Sequence, residues 1–194
     1  MLYLITIIFS MIVISLVDYF CIVRLNELNF LQIFLAVTIA TVAQIIIDLI
    51  IAFFVRRGMP KKWFNIDKKQ FCAKKFEQKF YEKIGIKRWK DKVLELGALS
   101  GFRKNKVNEP KNNEYVERFI LESNYGIMVH VACILFGVSV IFIYPLNVAI
   151  CFGIPVTIVN VVLNLLPIFV LRYNLPKLHV LYKYNLKRNS NFNP

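Results

Sequence analysis

The chain has 194 residues, 57% of them hydrophobic, and a mean hydropathy of +0.54. Soluble domains average roughly 45–50% apolar residues, so an ordinary soluble domain is excluded. A formal charge of +13 comes without any nucleic-acid-binding motif, and the four cysteines (Cys21, Cys72, Cys133, Cys151) show no paired spacing. Nucleic acid, a disulfide framework and a zinc cluster are therefore not expected.

The apolar residues fall into four blocks, 2–23, 30–55, 127–146 and 148–171. Each reaches the ~20 residues that a helix needs to cross a bilayer. A helix satisfies its own backbone hydrogen bonds in lipid, so the expected fold class is all-α: a polytopic integral membrane protein with four transmembrane helices plus cytoplasmic amphipathic helices. The first block lacks a basic leading region and a small-residue cleavage site, so it reads as a retained helix. The expected organisation is an N-terminal hairpin over 1–55 and a basic segment over 56–125. A second hairpin over 126–171 and a basic tail over 172–194 complete it.

Of the 25 Lys and Arg, only Arg24 lies between the first two blocks. Nineteen lie in 56–125 and five in 172–194. Basic residues flanking spans stay on the cytoplasmic side, which predicts a multi-pass membrane protein with both termini cytoplasmic. Within the basic segment, Phe76, Phe80 and Ile84 recur every four residues among lysines. That spacing predicts an amphipathic interfacial helix within 66–96, broken at Gly85. The stretch 101–113 reads as a loop. Asn112 or Asn113 is a natural N-cap for a helix running on into the third span.

Polar side chains inside apolar blocks are the most informative positions, since a charge there costs ~2.5–3.5 kcal/mol. Asp18 lies near the outer end of the first span and reads as structural or hydrated. Asp48 lies in the second span, about 10 Å from its inner end at ~1.5 Å per residue. His130 lies about a turn inside the third span. Asn160 and Asn164 share a face of the fourth. Asp48, His130 and Asn164 thus fall in the same half of the bilayer. Glu122 lies eight residues before His130, and Arg172, Tyr173 and Asn174 end the last span. Each also has a plain structural reading: interhelical hydrogen bonds for the Asn pair, phosphate snorkelling for Arg172, a belt position for Tyr173.

The segments "KRWKDKVLE", "ILESNYGIMVH" and "PIFVLRYNLPKL" resemble the glycosyl-4,4'-diaponeurosporenoate acyltransferase family, small bacterial membrane proteins, over about residues 80–194. The resemblance implies transfer of a fatty acyl chain to a sugar hydroxyl of a glycosylated carotenoid or related glycolipid. It carries over Trp89, Lys90, Glu122, His130, Asn164, Arg172, Tyr173, Asn174 and Pro176. These segments give no alignment for residues 1–79, which include the second span and Asp48.

Chemistry suggests roles for these positions. His130 is the expected general base, and Glu122 the carboxylate that orients it. Arg172 or Lys90 would pair with the phosphates of an acyl-CoA or similar donor. Asn164 or Tyr173 would donate to the developing oxyanion, and Trp89 and Asn174 would line the substrate site. No bound cofactor and no metal is expected, and the oligomeric state is open. Two other classes fit the same sequence: a small membrane transferase acting on another lipid or isoprenoid, and a non-enzymatic membrane scaffold.

Overall fold

A computed structural model describes residues 2–22, 25, 27–93 and 107–190. Among these residues there are helices and no strand. In chain order the α-helices are α1 (Leu2–Cys21), α2 (Phe30–Gly58), α3 (Lys75–Lys83), α4 (Ile86–Trp89), α5 (Asn113–Gly137) and α6 (Leu146–Ser190). Short 3₁₀ turns at Lys61–Phe64, Lys69–Phe71, Lys90–Lys92 and Val138–Ile143 complete the list. α1, α2, α5 with the turn that follows it, and α6 are each long and apolar enough to cross a membrane. The 20 residues of α1 measure ~30 Å at 1.5 Å per residue, which matches a bilayer's hydrocarbon thickness.

The chain forms two compact units, Met1–Val55 with His130–Leu165, and Arg56–Val129 with Leu166–Pro194. In the first unit, Ile33, Val37 and Ala40 make one buried stripe on α2 at helical spacing. The stripe packs with Cys151, Phe152 and Val156 of α6 and with Met11 and Ile14 of α1. Gly153 lets α6 lie against the 138–143 turn, because a Cβ there would stand 2.8 Å from the Ile141 Cα. Large apolar residues facing away from this core, such as Leu4, Phe9, Leu31 and Phe54, are exposed. That pattern suits helices whose outer surface meets lipid rather than water.

α6 stays helical through three prolines, Pro155, Pro167 and Pro176. A proline inside a helix removes an N–H and frees the carbonyl four residues earlier. For Pro167 that carbonyl belongs to Leu163, and it accepts the Tyr3 hydroxyl within the first unit. For Pro176 it belongs to Arg172, and it accepts the Ala73 N–H at 3.2 Å within the second unit. In these two cases the lost intrahelical bond is replaced by a tertiary one, which ties a distant part of the chain to α6.

In the second unit α5 begins where the sequence predicts. Asn112 Oδ1 caps it, accepting the Tyr115 N–H at 3.2 Å. The amphipathic stretch is shorter than the expected 66–96: α3 covers nine residues, and Gly85 breaks it with φ +68°. Leu94 and the residues to 106 lie outside the described residues, as does Arg24. Tyr81 and Ile86 pack against Val170 and Tyr173 of α6, with Trp89 and Phe169 alongside. Arg172 braces this arrangement from the polar side. Its Nη2 donates to both Glu77 oxygens at 2.9 Å and to the Cys72 carbonyl at 3.3 Å, and Nη1 donates to the Gln70 carbonyl at 3.2 Å. Burial pushes the Glu77 carboxyl up. The Lys74 backbone N–H and the Arg172 guanidinium outweigh it and hold the carboxyl below its ordinary 4.5.

Arg172→Lys is predicted to destabilise the second unit by about 1–2 kcal/mol, since an ammonium cannot replace a fork that holds a carboxylate and two carbonyls at once. Because the folded-state pKa of Glu77 is depressed, the ion pair stabilises above the ordinary carboxylate range and is lost as pH falls through the lowered value. Thermal unfolding in detergent micelles should therefore show a gap between wild type and variant at neutral pH that narrows in acid.

Candidate functional site

Three helices of the first unit each present polar residues about one turn apart: Gln44 and Asp48 on α2, His130 and Cys133 on α5, Asn160 and Asn164 on α6. Such pairs share a helix face, so three polar ridges meet inside an otherwise apolar bundle. Asp48 Oδ1 accepts Gln44 Nε2 at 3.0 Å, and Oδ2 accepts Asn164 Nδ2 at 3.4 Å. Asn164 Nδ2 also donates to the Asn160 carbonyl at 3.0 Å and to Asn160 Oδ1 at 2.7 Å. Asn160 Nδ2 donates to the Cys133 carbonyl at 3.4 Å, and Cys133 Sγ to the Asp48 carbonyl at 3.8 Å. Asn164 Oδ1 lies 2.8 Å from His130 Nδ1.

Gly137 makes room for the cluster. A Cβ at that position would lie 2.6 Å from Asn160 Nδ2 and 2.7 Å from Gln44 Nε2. Gln44, Asn160 and Asn164 are buried, whereas His130 is half-buried. The Gln44 Oε1 acceptor is buried and has no partner among the described residues.

The network has a direction. The Asn160 backbone carbonyl can only accept, so the amide nitrogen of Asn164 must face it. The amide oxygen then faces His130, and Nδ1 of the imidazole must be the donor. In the neutral ring the lone pair is left on Nε2, the nitrogen that can take a proton. An amide thus sets the tautomer of a histidine from behind, as outer partners do for catalytic imidazoles generally.

Two of the expected site residues come together here, His130 and Asn164. Asp48, which had no assigned role, joins them with Gln44 and Asn160. The matching one-turn spacing of Gln44–Asp48 and Asn160–Asn164 is the signal that links them. Glu122 lies in the second unit, and its partner there is Arg56. Arg56 Nη2 donates to Glu122 Oε2 at 3.0 Å, and the group that orients His130 Nδ1 is Asn164. The N–H groups of Asn164, the expected oxyanion donor, are turned to Asn160 and Asp48.

The remaining expected residues lie in the second unit. Arg172 grips Glu77 and two carbonyls, so the phosphate pairing expected of it gives way to a bracing role. Tyr173 is buried; its hydroxyl donates to Glu82 at 3.4 Å, and the Lys177 ammonium sits 3.8 Å over its ring. Trp89 Nε1 donates to the Ile84 carbonyl at 3.1 Å, and Lys90 Nζ is 4.0 Å from Asp91. Asn174 is half-buried on α6.

A family model described as glycosyl-4,4'-diaponeurosporenoate acyltransferase matches residues 60–184. The matched segment holds His130, Cys133, Gly137, Asn160 and Asn164, and α2 with Gln44 and Asp48 precedes it. No curated protein and no solved structure matches the chain.

Asp48→Leu should leave the Gln44 amide donor unpartnered, at about 1–3 kcal/mol, while the Asn164 amide keeps its bonds to Asn160. Asp48→Asn keeps the shape and one acceptor oxygen, so its loss should be no more than about half as large. Unfolding midpoints of the two variants in the same detergent give the comparison.

Proposed function

As the chain belongs to the glycosyl-4,4'-diaponeurosporenoate acyltransferase family, we propose that it moves a fatty acyl chain onto a sugar hydroxyl of a glycosylated carotenoid or related glycolipid, with His130 as general base. The observation that carries the residue assignment is the 2.8 Å contact that turns Nδ1 of His130 to Asn164 and leaves Nε2 as proton acceptor. A sugar hydroxyl is a weak nucleophile, and partial proton removal as it attacks is the help it needs.

Nε2 of His130 takes the hydroxyl proton as the oxygen bonds to the acyl carbonyl carbon of an acyl-CoA or similar thioester. The tetrahedral intermediate then expels the thiolate by breaking the carbon–sulfur bond. The thiolate recovers the proton from the imidazolium, so the base is regenerated and the products are an ester and a thiol. While the ring is charged, the Asn164 oxygen accepts from Nδ1–H, and the Asp48 carboxylate holds the amide from its other end. A base in a membrane-embedded unit suits an acceptor that is itself a lipid. The two-sided distribution of Lys and Arg supports an orientation with both termini and the 56–125 segment on the cytoplasmic face, where a thioester donor would be found.

His130→Ala should reduce transfer by 10²–10⁴-fold, the usual worth of a general base, with insertion and the helical fold retained. The assay is ester formation on a glycosylated carotenoid by purified protein in vesicles, read by mass of the lipid extract. A His130→Ala protein with near-normal turnover would falsify the assignment.

A further inference from the structure

α3 carries an apolar stripe that the described residues of the second unit leave largely exposed. Phe76, Phe80 and Ile84 are 69%, 50% and 38% exposed. Tyr81 faces away from them into the core with Ile86, Val170 and Tyr173. That core sets the level of α3 along α6. It packs at 169–173, where the apolar run of α6 gives way to Arg172, and the Phe80 ring meets Phe169 edge-on at 6.2 Å. A helix packed where a span leaves hydrocarbon stands at headgroup depth, and three large side chains exposed there are suited to lipid rather than water.

The turn after α3 adds the complementary half. Gly85, at φ +68° in the left-handed region that favours glycine, folds the chain back on itself. Lys83, Lys87 and Arg88 then line one open cleft of about 360 Å³ together with Glu82 and Gly85. Lys87 Nζ is 3.5 Å from Glu82, so the lining holds three cations against one carboxylate. A cationic cleft at the end of an apolar stripe fits a molecule with an anionic head and an acyl tail.

We propose that the α3–α4 turn is a binding site for an anionic phospholipid, with the headgroup phosphate among Lys83, Lys87 and Arg88 and an acyl chain along Phe76, Phe80 and Ile84. The level of α3 on α6 argues for a bilayer lipid over a soluble anion, because this is where bilayer phosphates lie. The site is independent of the His130 chemistry and needs none of its residues.

The test uses the full chain, purified in detergent and titrated with phosphatidylglycerol or phosphatidylcholine of identical acyl chains, with bound lipid read by native mass spectrometry. Phosphatidylglycerol should bind at least tenfold more tightly. Each cation removed should weaken it about fivefold, so Lys83→Gln/Lys87→Gln/Arg88→Gln should bring it to the phosphatidylcholine level. Phe76→Ser/Phe80→Ser should weaken both lipids alike. All five side chains are exposed, so the variants should keep the wild-type unfolding temperature; if the triple variant unfolds, Arg88→Gln alone carries the same reading. Equal binding of the two lipids by wild type, or an unchanged preference in the cation variants, would overturn the proposal. So would displacement of phosphatidylglycerol by inorganic phosphate alone, or tighter binding of a long-chain acyl-CoA at equal concentration.

Discussion

An amide held between a carboxylate and an imidazole governs the candidate site. Asn164 is buried on α6 with its nitrogen toward Asp48 and Asn160 and its oxygen toward His130. In an apolar surrounding an unmatched polar group is expensive, so every member of such a chain constrains the next. The carbonyl fixes the amide, and the amide fixes the proton on the ring. Gln44 and Gly137 serve the same end, one as a donor to Asp48 and the other by leaving space for two amide groups. The first unit is thus specified by polar contacts at its centre as well as by the Ile33–Val37–Ala40 stripe.

The second constraint is the set of prolines in α6. Each removes a backbone bond from the helix, and two of the freed carbonyls become docking points, Leu163 for Tyr3 and Arg172 for Ala73. This gives the closing "RYNLP" run a physical reading. Proline frees the arginine carbonyl, the arginine side chain grips the carbonyls and the acid of the 70–77 segment, and the tyrosine fills the core beside Tyr81. A cluster that resembles a ligand site in sequence holds the basic segment onto its helix.

The fold was largely legible because its determinants are local. Four apolar blocks became four long helices, Asn112 capped α5, and Gly85 broke the amphipathic stretch, each through an interaction within a few residues. The extent of α6 was less legible. The block ends at Leu171, yet the helix continues to Ser190, because the carbonyl freed by Pro176 found a donor a hundred residues away. At the site, polar residues inside apolar blocks marked His130 and Asn164 correctly as neighbours in depth. Their pairing, and that of Asp48 with them, depended on how three helices turn about their axes, which a single sequence does not show. Glu122 and Arg172 illustrate why charges at span boundaries are hard to read. A charged residue at a span boundary is suited equally to a substrate and to a nearby opposite charge, and here Arg56 and Glu77 supply the charge.

Which nitrogen of the His130 ring carries the proton can be read directly. The chain has two histidines, so a His179→Gln protein labelled with ¹⁵N-histidine carries a single imidazole signal set, from His130. Solid-state NMR of this protein in bilayers, above the pH at which the ring is neutral, should show Nδ1 protonated and Nε2 bare. A ring protonated at Nε2 and bare at Nδ1 would contradict the account, because Asn164 would then have to face His130 with its nitrogen and turn its oxygen toward a carbonyl that has no proton to give.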